Sequence, residues 1–268
     1  MGGDDRPFTQ WVRIGEGASA EVWALDQDRV VKLFHPDVND VPVALEYEAS
    51  RWADTQGLPV ARPLGQMAAQ DRKGILFQRV DGPAMLTLIR RSPGRMWPLI
   101  SRLAQLHAQM HGATGGDMLP KQVDVLRHRI MRSQAGEPAR QAALNLLDRM
   151  PPSQQLVHGD FHPGNILLPD DGPVIIDWAQ AANGHPAADV ARTELLLRFG
   201  AGNGRSSSRL AGAIAARWYR HCYAGHSGLS HIAVDAWRLP VAVAWDRGQL
   251  GAAEKPLRDW IARLLDRI

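Results

Sequence analysis

His158, Asp160 and Asn165 fall in the stretch HGDFHPGN at the spacing H-x-D-x-x-x-x-N, and Asp177 follows in VIIDW. These residue types suit a particular chemistry. A carboxylate within hydrogen-bond reach of a hydroxyl can take its proton. An amide oxygen five residues later can curl back towards a divalent cation where the turn is tight, and Pro163 and Gly164 supply such a turn. Mg²⁺ takes a few hard oxygen ligands and completes its shell with water and phosphate, so Asn165 and Asp177 make the protein half of such a shell. A lone Asp or Asn here would read as a turn cap. The full spacing with a strand-borne Asp177 argues for a metal-phosphate site instead.

A second group lies near the amino terminus. GEGASAEV, Gly15 to Val22, fits the phosphate-cradling pattern G-x-G-x-x-x-x-V, with Ala20 where a third glycine would stand. Lys32 follows inside RVVKLF. Arginine supplies 27 of the 31 basic residues, leaving only Lys32, Lys73, Lys121 and Lys255, so a lysine in an apolar strand is conspicuous. Its plain alternative is to face solvent. In protein kinases a lysine so placed reaches the nucleotide phosphates and pairs with a helix glutamate. A helix expected over Pro42 to Gln56 offers Glu46 and Glu48, which diverge on the helix surface. Glu46 adjoins the Leu45–Ala49–Trp52 stripe and is preferred, with Glu48 as the alternate.

The elements that must position these groups follow from periodicity and breakers. VRIGEGASAEVWAL, RVVKLF and GILFQRV read as strands, and Asp81-Gly82-Pro83 ends that pattern. Helices are expected over 97–111, 122–132, 138–149, 186–199, 208–223 and 255–267. QLV, NILL and VIIDW read as strands, with PDDGP as a tight hairpin connection between the last two. The organisation expected is an amino-terminal nucleotide-binding lobe over 1–80, joined near 78–82 to a catalytic and substrate-binding lobe over 81–268.

Composition removes several function classes. With 45% hydrophobic and 22% charged residues the chain reads as globular, and one cysteine, Cys222, excludes an internal disulfide. The net charge of +3 comes from arginines spread along the chain without a dense basic cluster, so no nucleic-acid partner is expected. No apolar run has the length of a membrane span or a signal peptide, and a cytoplasmic address is expected, with no membrane and no protein partner. The pattern G-x-x-x-x-G-K-[ST] is absent, which removes the P-loop kinases. His107 and His111 stand four apart in LHAQMH, a metal-ligand spacing, but no third ligand is evident and packing is the expected role.

HGDFHPGNILL, VIIDWAQAANGHPAADVA, RVVKLF and GLPVARPLG together resemble the aminoglycoside phosphotransferase-like family, over nearly the whole chain and in the expected order. The resemblance implies an α+β, bilobal protein-kinase-like fold, with a small antiparallel-sheet lobe and a larger helical lobe. It implies ATP-dependent phosphorylation of a small-molecule hydroxyl with Mg²⁺. Asp160 would be the catalytic base, Asn165 and Asp177 the metal ligands, and Lys32 with Glu46 the phosphate-positioning pair. Gly15 and Gly17 would line the phosphates, and the linker near Arg79 and Val80 would offer backbone groups to adenine. Asp189 is expected to hydrogen-bond the backbone of the catalytic loop from a helix start, and His185 has no assigned role. The acceptor implied first is an aminoglycoside, an antibiotic polycation, with Glu194, Asp235, Asp246 and Glu254 available to meet it. Six arginines (192, 198, 217, 220, 238 and 247) share that region. The alternatives are choline, an amino sugar or a macrolide-like acceptor, or a nucleotide-binding regulator without catalysis.

Overall fold

The computed structural model describes residues 10–200, 206–248 and 250–268. The chain divides into two compact units: the elements up to Met85 together with Gly164–Gln180, and Leu86–Pro163 with Ala181–Ile268.

In the first unit five strands form one antiparallel sheet: β1 (Val12–Glu16), β2 (Ala20–Ala24), β3 (Arg29–Phe34), β4 (Pro63–Ala69) and β5 (Arg72–Gln78), in the order β1-β2-β3-β5-β4. Gln70 and Asp71 both take positive φ between β4 and β5, the two-residue turn whose twist matches antiparallel strands. Side chains alternate across β3. Val31 joins an apolar cluster with Trp11 and Leu25. Phe34 packs on the opposite face with Ala20, Ile75 and Val43 of α1 (Asp40–Thr55), so Lys32, two residues before Phe34, projects to the α1 side. The face that α1 buries is Val43, Glu46, Ala49, Ser50 and Ala53. This corrects the expected stripe: Leu45 and Trp52 flank the buried face, and a glutamate stands at its centre.

Two short strands complete this unit, β7 (Ile166–Leu167) and β8 (Val174–Ile175). The strand read from VIIDW stops two residues before Asp177, and the connection is the six-residue segment 168–173 rather than a tight turn. Its path is fixed by backbone contact, since a Cβ on Gly82 would lie 2.5 Å from the Pro169 nitrogen.

The second unit is helical around one small sheet, β6 (Gln155–Val157) with β9 (Ala182–Gly184). The helices α3 (Met96–Met110), α4 (Gln122–Met131), α5 (Glu137–Leu147), α6 (Pro186–Leu195), α7 (Ser206–Ser227) and α9 (Glu254–Leu265) stand where periodicity places them. The sequence reading omits α2 (Met85–Arg91), α8 (His231–Trp245) and strands β4 and β9. α8 has Pro240 in its interior and is buried along Val234, Trp237 and Leu239–Ala244, so it shows neither a clean breaker-free run nor a polar face. α3 packs on α7, while α8 packs on α4, α5 and α6. Among the described residues no helix is long and apolar enough to cross a membrane.

Candidate active site

In the strand-rich unit the structure brings together three side chains far apart in sequence. Lys32 Nζ lies 2.6 and 2.8 Å from the two carboxylate oxygens of Glu46 and 2.8 Å from Asp177 Oδ1. Glu48 turns away and pairs with Arg51, so the partner is Glu46. Burial works against the Lys32 ammonium, but Glu46 and Asp177 outweigh it and raise its pKa. The lysine therefore stays charged. Burial pushes the Glu46 carboxyl up to about 7 against the pull of Lys32, with Asp177 adding to the rise.

Asp177 has φ +65°, a left-handed conformation that an aspartate tolerates at a cost. Such strain concentrates at functional sites. Its side chain stays 41% exposed while bonded to Lys32. Asn165 ends the 3₁₀ turn Pro163–Asn165, and its carbonyl accepts the Ile176 N–H at 3.0 Å. Asn165 and Asp177 are thus placed at the same end of the β7–β8 pair.

Gly15 lies at an irregularity of the β1–β2 ladder. The Gly17 N–H is donated to the Ala20 carbonyl at 2.8 Å, closing the turn on itself. The Arg79 N–H is donated to Asp28 O at 2.7 Å, so what Arg79 can offer a ligand is its carbonyl, beside the Val80 backbone. Sequence reading overlooked Val22 and Val30. Register pairs Val22 with Lys32, and Val30 stands two residues before it, so both half-buried valines share the lysine's face. The signal was present as the alternation within RVVKLF.

Asp160 lies in the helical unit, in a loop tied down at successive residues. Asp189, in the first turn of α6, is fully buried, and its carboxylate accepts four hydrogen bonds. These come from His158 N at 2.7 Å, Gly159 N at 2.8 Å, His107 Nε2 at 3.1 Å and His111 Nε2 at 3.3 Å. On the other side of each ring, Nδ1 of His107 lies 2.5 Å from the Tyr219 hydroxyl and Nδ1 of His111 lies 2.7 Å from the Tyr223 hydroxyl. Burial drives the His107 pKa down to about 3, with the His111 charge adding to it. Burial opposes the Asp189 anion, but the two histidine bonds hold it well below the carboxylate range. The expected backbone role of Asp189 is what the structure shows. The expected lack of a third partner for the histidine pair is corrected: Asp189 joins it, as a hydrogen-bond acceptor.

Gly159 takes φ +75°, which only glycine adopts freely. His158 Nδ1 accepts the Asp160 N–H at 3.2 Å, Phe161 stacks on His107 at 3.9 Å between centroids, and Thr193 Oγ1 donates to Phe161 O. His185, left without a role by the sequence, caps α6 through Nδ1 on the Ala187 N–H. The Asp160 carboxylate has Arg192 Nη2 at 3.5 Å from Oδ1 and His162 Nε2 at 3.6 Å from Oδ2. Burial works to raise Asp160, yet His162, Arg192 and His158 outweigh it and hold it at about 2. His162 also lines a cavity of about 270 Å³ walled by Leu86, Ile89, Met96, Leu196 and Leu197.

The carboxylates expected to meet a polycation have other partners. Glu194 is buried between Arg238 and Arg198, Asp235 pairs with Arg220 and Arg238, Asp246 is buried against Arg258, and Glu254 accepts the Leu250 N–H.

The model of the phosphotransferase enzyme family matches residues 10–229, and the chain belongs to that family. Solved structures agree in fold at low identity. Aminoglycoside phosphotransferase APH(4)-Ia, a thermostable mutant with AMP-PNP and hygromycin B, aligns at 14% identity and TM-score 0.65, covering 97% of this chain and 92% of that one. A choline/ethanolamine kinase family protein from Mesorhizobium loti aligns at 14% and 0.66, covering 96% and 88%. Amicoumacin kinase hAmiN, with AMP-PNP, Ca²⁺ and Ami, aligns at 12% and 0.63, covering 97% and 88%. The fold is therefore the α+β protein-kinase-like fold. No curated protein matches the sequence.

Proposed function

We propose that the protein is an ATP-dependent O-phosphotransferase acting on a hydroxyl of a small molecule. The observation that carries this reading is the convergence of Glu46 and Asp177, from helix and loop, on the half-buried ammonium of Lys32 in its strand. Lys32 meets the nucleotide phosphates, held extended by Glu46. Val22 and Val30 give a flat base an apolar shelf, and the Arg79 carbonyl and Val80 backbone meet its polar edge. Gly15 and Gly17 keep the first turn free of side chains where the phosphates lie. The carboxylate of Asp177 and the amide oxygen of Asn165 are hard oxygen donors, and the exposure of Asp177 lets an ion reach it, so the pair fits Mg²⁺. Mg²⁺, when bound, supplies positive charge to the triphosphate.

Asp160, ionised with a pKa near 2, accepts the hydrogen bond of the acceptor hydroxyl and so orients its oxygen. The proton passes to Asp160 only as the new O–P bond forms, since phosphoryl transfer depends on positioning and charge rather than on a strong base. The family resemblance favours an aminoglycoside acceptor and with it a role in antibiotic resistance. The ion pairing of Glu194, Asp235 and Asp246 favours acceptors that need no acidic wall.

An ATP-consumption screen over aminoglycosides, macrolides, choline and amino sugars, with Asp160→Asn as the blank, tests the reading. Acceptor-dependent ADP release by the wild type, reduced on the order of 10²–10³-fold in Asp160→Asn, is the expected outcome. Near-normal turnover in that variant refutes the role of Asp160.

A further inference from the structure

We propose, building on the phosphotransferase reading, that the acceptor carries an apolar aliphatic portion beside its reacting hydroxyl, and that the cavity next to His162 receives it. The cavity, of about 270 Å³, lies wholly within the helical unit. Leu86 and Ile89 wall it from one face of α2, and Met96 does so from the start of α3. Leu196 and Leu197 belong to the π-helical turn Leu196–Gly200 that continues α6, an irregularity frequent at functional sites. α7 contributes Ala211 and Gly212, and a Cβ on Gly212 would lie 2.4 Å from the Leu197 carbonyl oxygen. Backbone already meets backbone there, so α7 cannot move in at that point to close the space.

Location and chemistry together name the occupant. His162 lines the cavity and places its Nε2 3.6 Å from Asp160 Oδ2, so one side chain separates the cavity from the carboxylate that orients the acceptor. Phe161 between the two is fully buried against His107, and its carbonyl accepts the Thr193 hydroxyl. Asp160 and His162 are therefore set from one anchored residue. Leu86, Ile89, Met96 and Leu196 are each only half-buried, and a ligand that covers such apolar surface is favoured by the water it releases. Among the described residues lining the cavity, the polar side chains are His162 and Arg90, and none is a carboxylate. A polycation finds no counter-charge there, whereas an aliphatic chain or ring face finds apolar walls. The volume lies below the roughly 300–1,000 Å³ of sites for drug-sized ligands. The cavity therefore takes one part of the acceptor and leaves its hydroxyl beside Asp160.

The test is an ADP-release assay on the full chain, with methyl, butyl and hexyl glucoside as an acceptor series and kanamycin as the polycation. Each methylene buried should raise kcat/KM by about three- to fourfold until the cavity is full, so the hexyl compound should exceed the methyl one by about tenfold or more. Ala211→Phe fills the cavity from an exposed position on α7 and should flatten the series to within about twofold. Ile89→Ser, on the α2 wall, should weaken the chain-length dependence in the same direction, so the reading does not rest on one variant folding. Flattening in either variant upholds the proposal. A flat series in the wild type, preference for kanamycin, or unchanged chain-length dependence in both variants overturns it. Should none of these acceptors turn over, thermal shift with hexyl and methyl glucoside below the micelle concentration decides. Stabilisation by the hexyl compound alone, abolished in Ala211→Phe, upholds the proposal, and equal shifts or none overturn it. Slow acceptor-independent ATP hydrolysis that Lys32→Ala removes reports on the phosphotransferase reading separately. If that hydrolysis is present and chain length has no effect, only the present inference fails.

Discussion

Replacing Asp189 by asparagine removes one carboxylate oxygen and puts an NH₂ donor in its place, against N–H groups that already point at it. Four donors share the two oxygens of Asp189: His158 N, Gly159 N, His107 Nε2 and His111 Nε2. The site is fully buried, so water cannot replace what is lost. Three of the donors reach Oδ2 and Gly159 N alone reaches Oδ1, so an amide oxygen kept at Oδ2 still loses the Gly159 bond, about 1.5–3 kcal/mol, and leaves that buried N–H facing a donor, about 1–3 kcal/mol more, for a cost of about 2.5–6 kcal/mol. Breaking a buried charged network typically costs about 3–5 kcal/mol, and the two figures agree. For a chain of this size that loss lowers Tm on the order of 10 °C. Urea unfolding of wild type and Asp189→Asn at neutral pH measures it. Kinetics at a temperature where both are folded add an independent reading: kcat should fall because the loop carrying Asp160 is loosened, while the KM of ATP holds. A loss below about 1 kcal/mol with unchanged kcat refutes the view that this carboxylate sets the loop.

The same cluster governs the acid limb of stability. His107 falls from 6.5 to about 3 on folding and Asp189 falls below its usual 3.8, so both groups bind fewer protons in the folded state. Their contribution is complete above about pH 6.5 and drains away as pH falls through the folded values. Glu46 has the opposite sign, since its folded value near 7 exceeds 4.5, and its contribution is lost as pH rises through 7. Urea titrations from pH 7 to 4, a range in which the slope comes from His107, should therefore show a shallower acid loss in His107→Gln than in the wild type; parallel slopes would contradict the assignment. Glu46→Gln should leave Lys32 held by Asp177 alone and lower kcat/KM for ATP by about tenfold or more, and an unchanged value in steady-state kinetics would remove Glu46 from the site.

Much of the site was legible because its groups sit at fixed intervals on short local structures. The segment from His158 to Asn165 carries its turn residues with it, and RVVKLF announces a strand by alternation. The choice of Glu46 over Glu48 required the rotation of α1 about its axis, which is set by Val43, Ala49 and Ala53 packing rather than by the larger Leu45 and Trp52. The strand assigned to VIIDW stops at Ile175, and Asp177 beyond it takes φ +65°, a left-handed turn that the alternation of the segment does not announce. α8 escaped notice because a helix buried along most of its length has no amphipathic rhythm and Pro240 resembles a stop signal. The link between His107, His111 and Asp189 spans about eighty residues, and helix spacing reveals only its first half.

Isothermal titration of AMP-PNP, with and without Mg²⁺, into wild type, Lys32→Ala, Asp177→Asn and Asp160→Asn tests most directly whether Lys32, Glu46 and Asp177 form a nucleotide-phosphate site. Wild type should bind one nucleotide with Mg²⁺ and much more weakly without it. Affinity should drop by about tenfold or more in Lys32→Ala and Asp177→Asn and stay near wild type in Asp160→Asn. Equal affinity in all four proteins, or binding indifferent to Mg²⁺, would contradict the account.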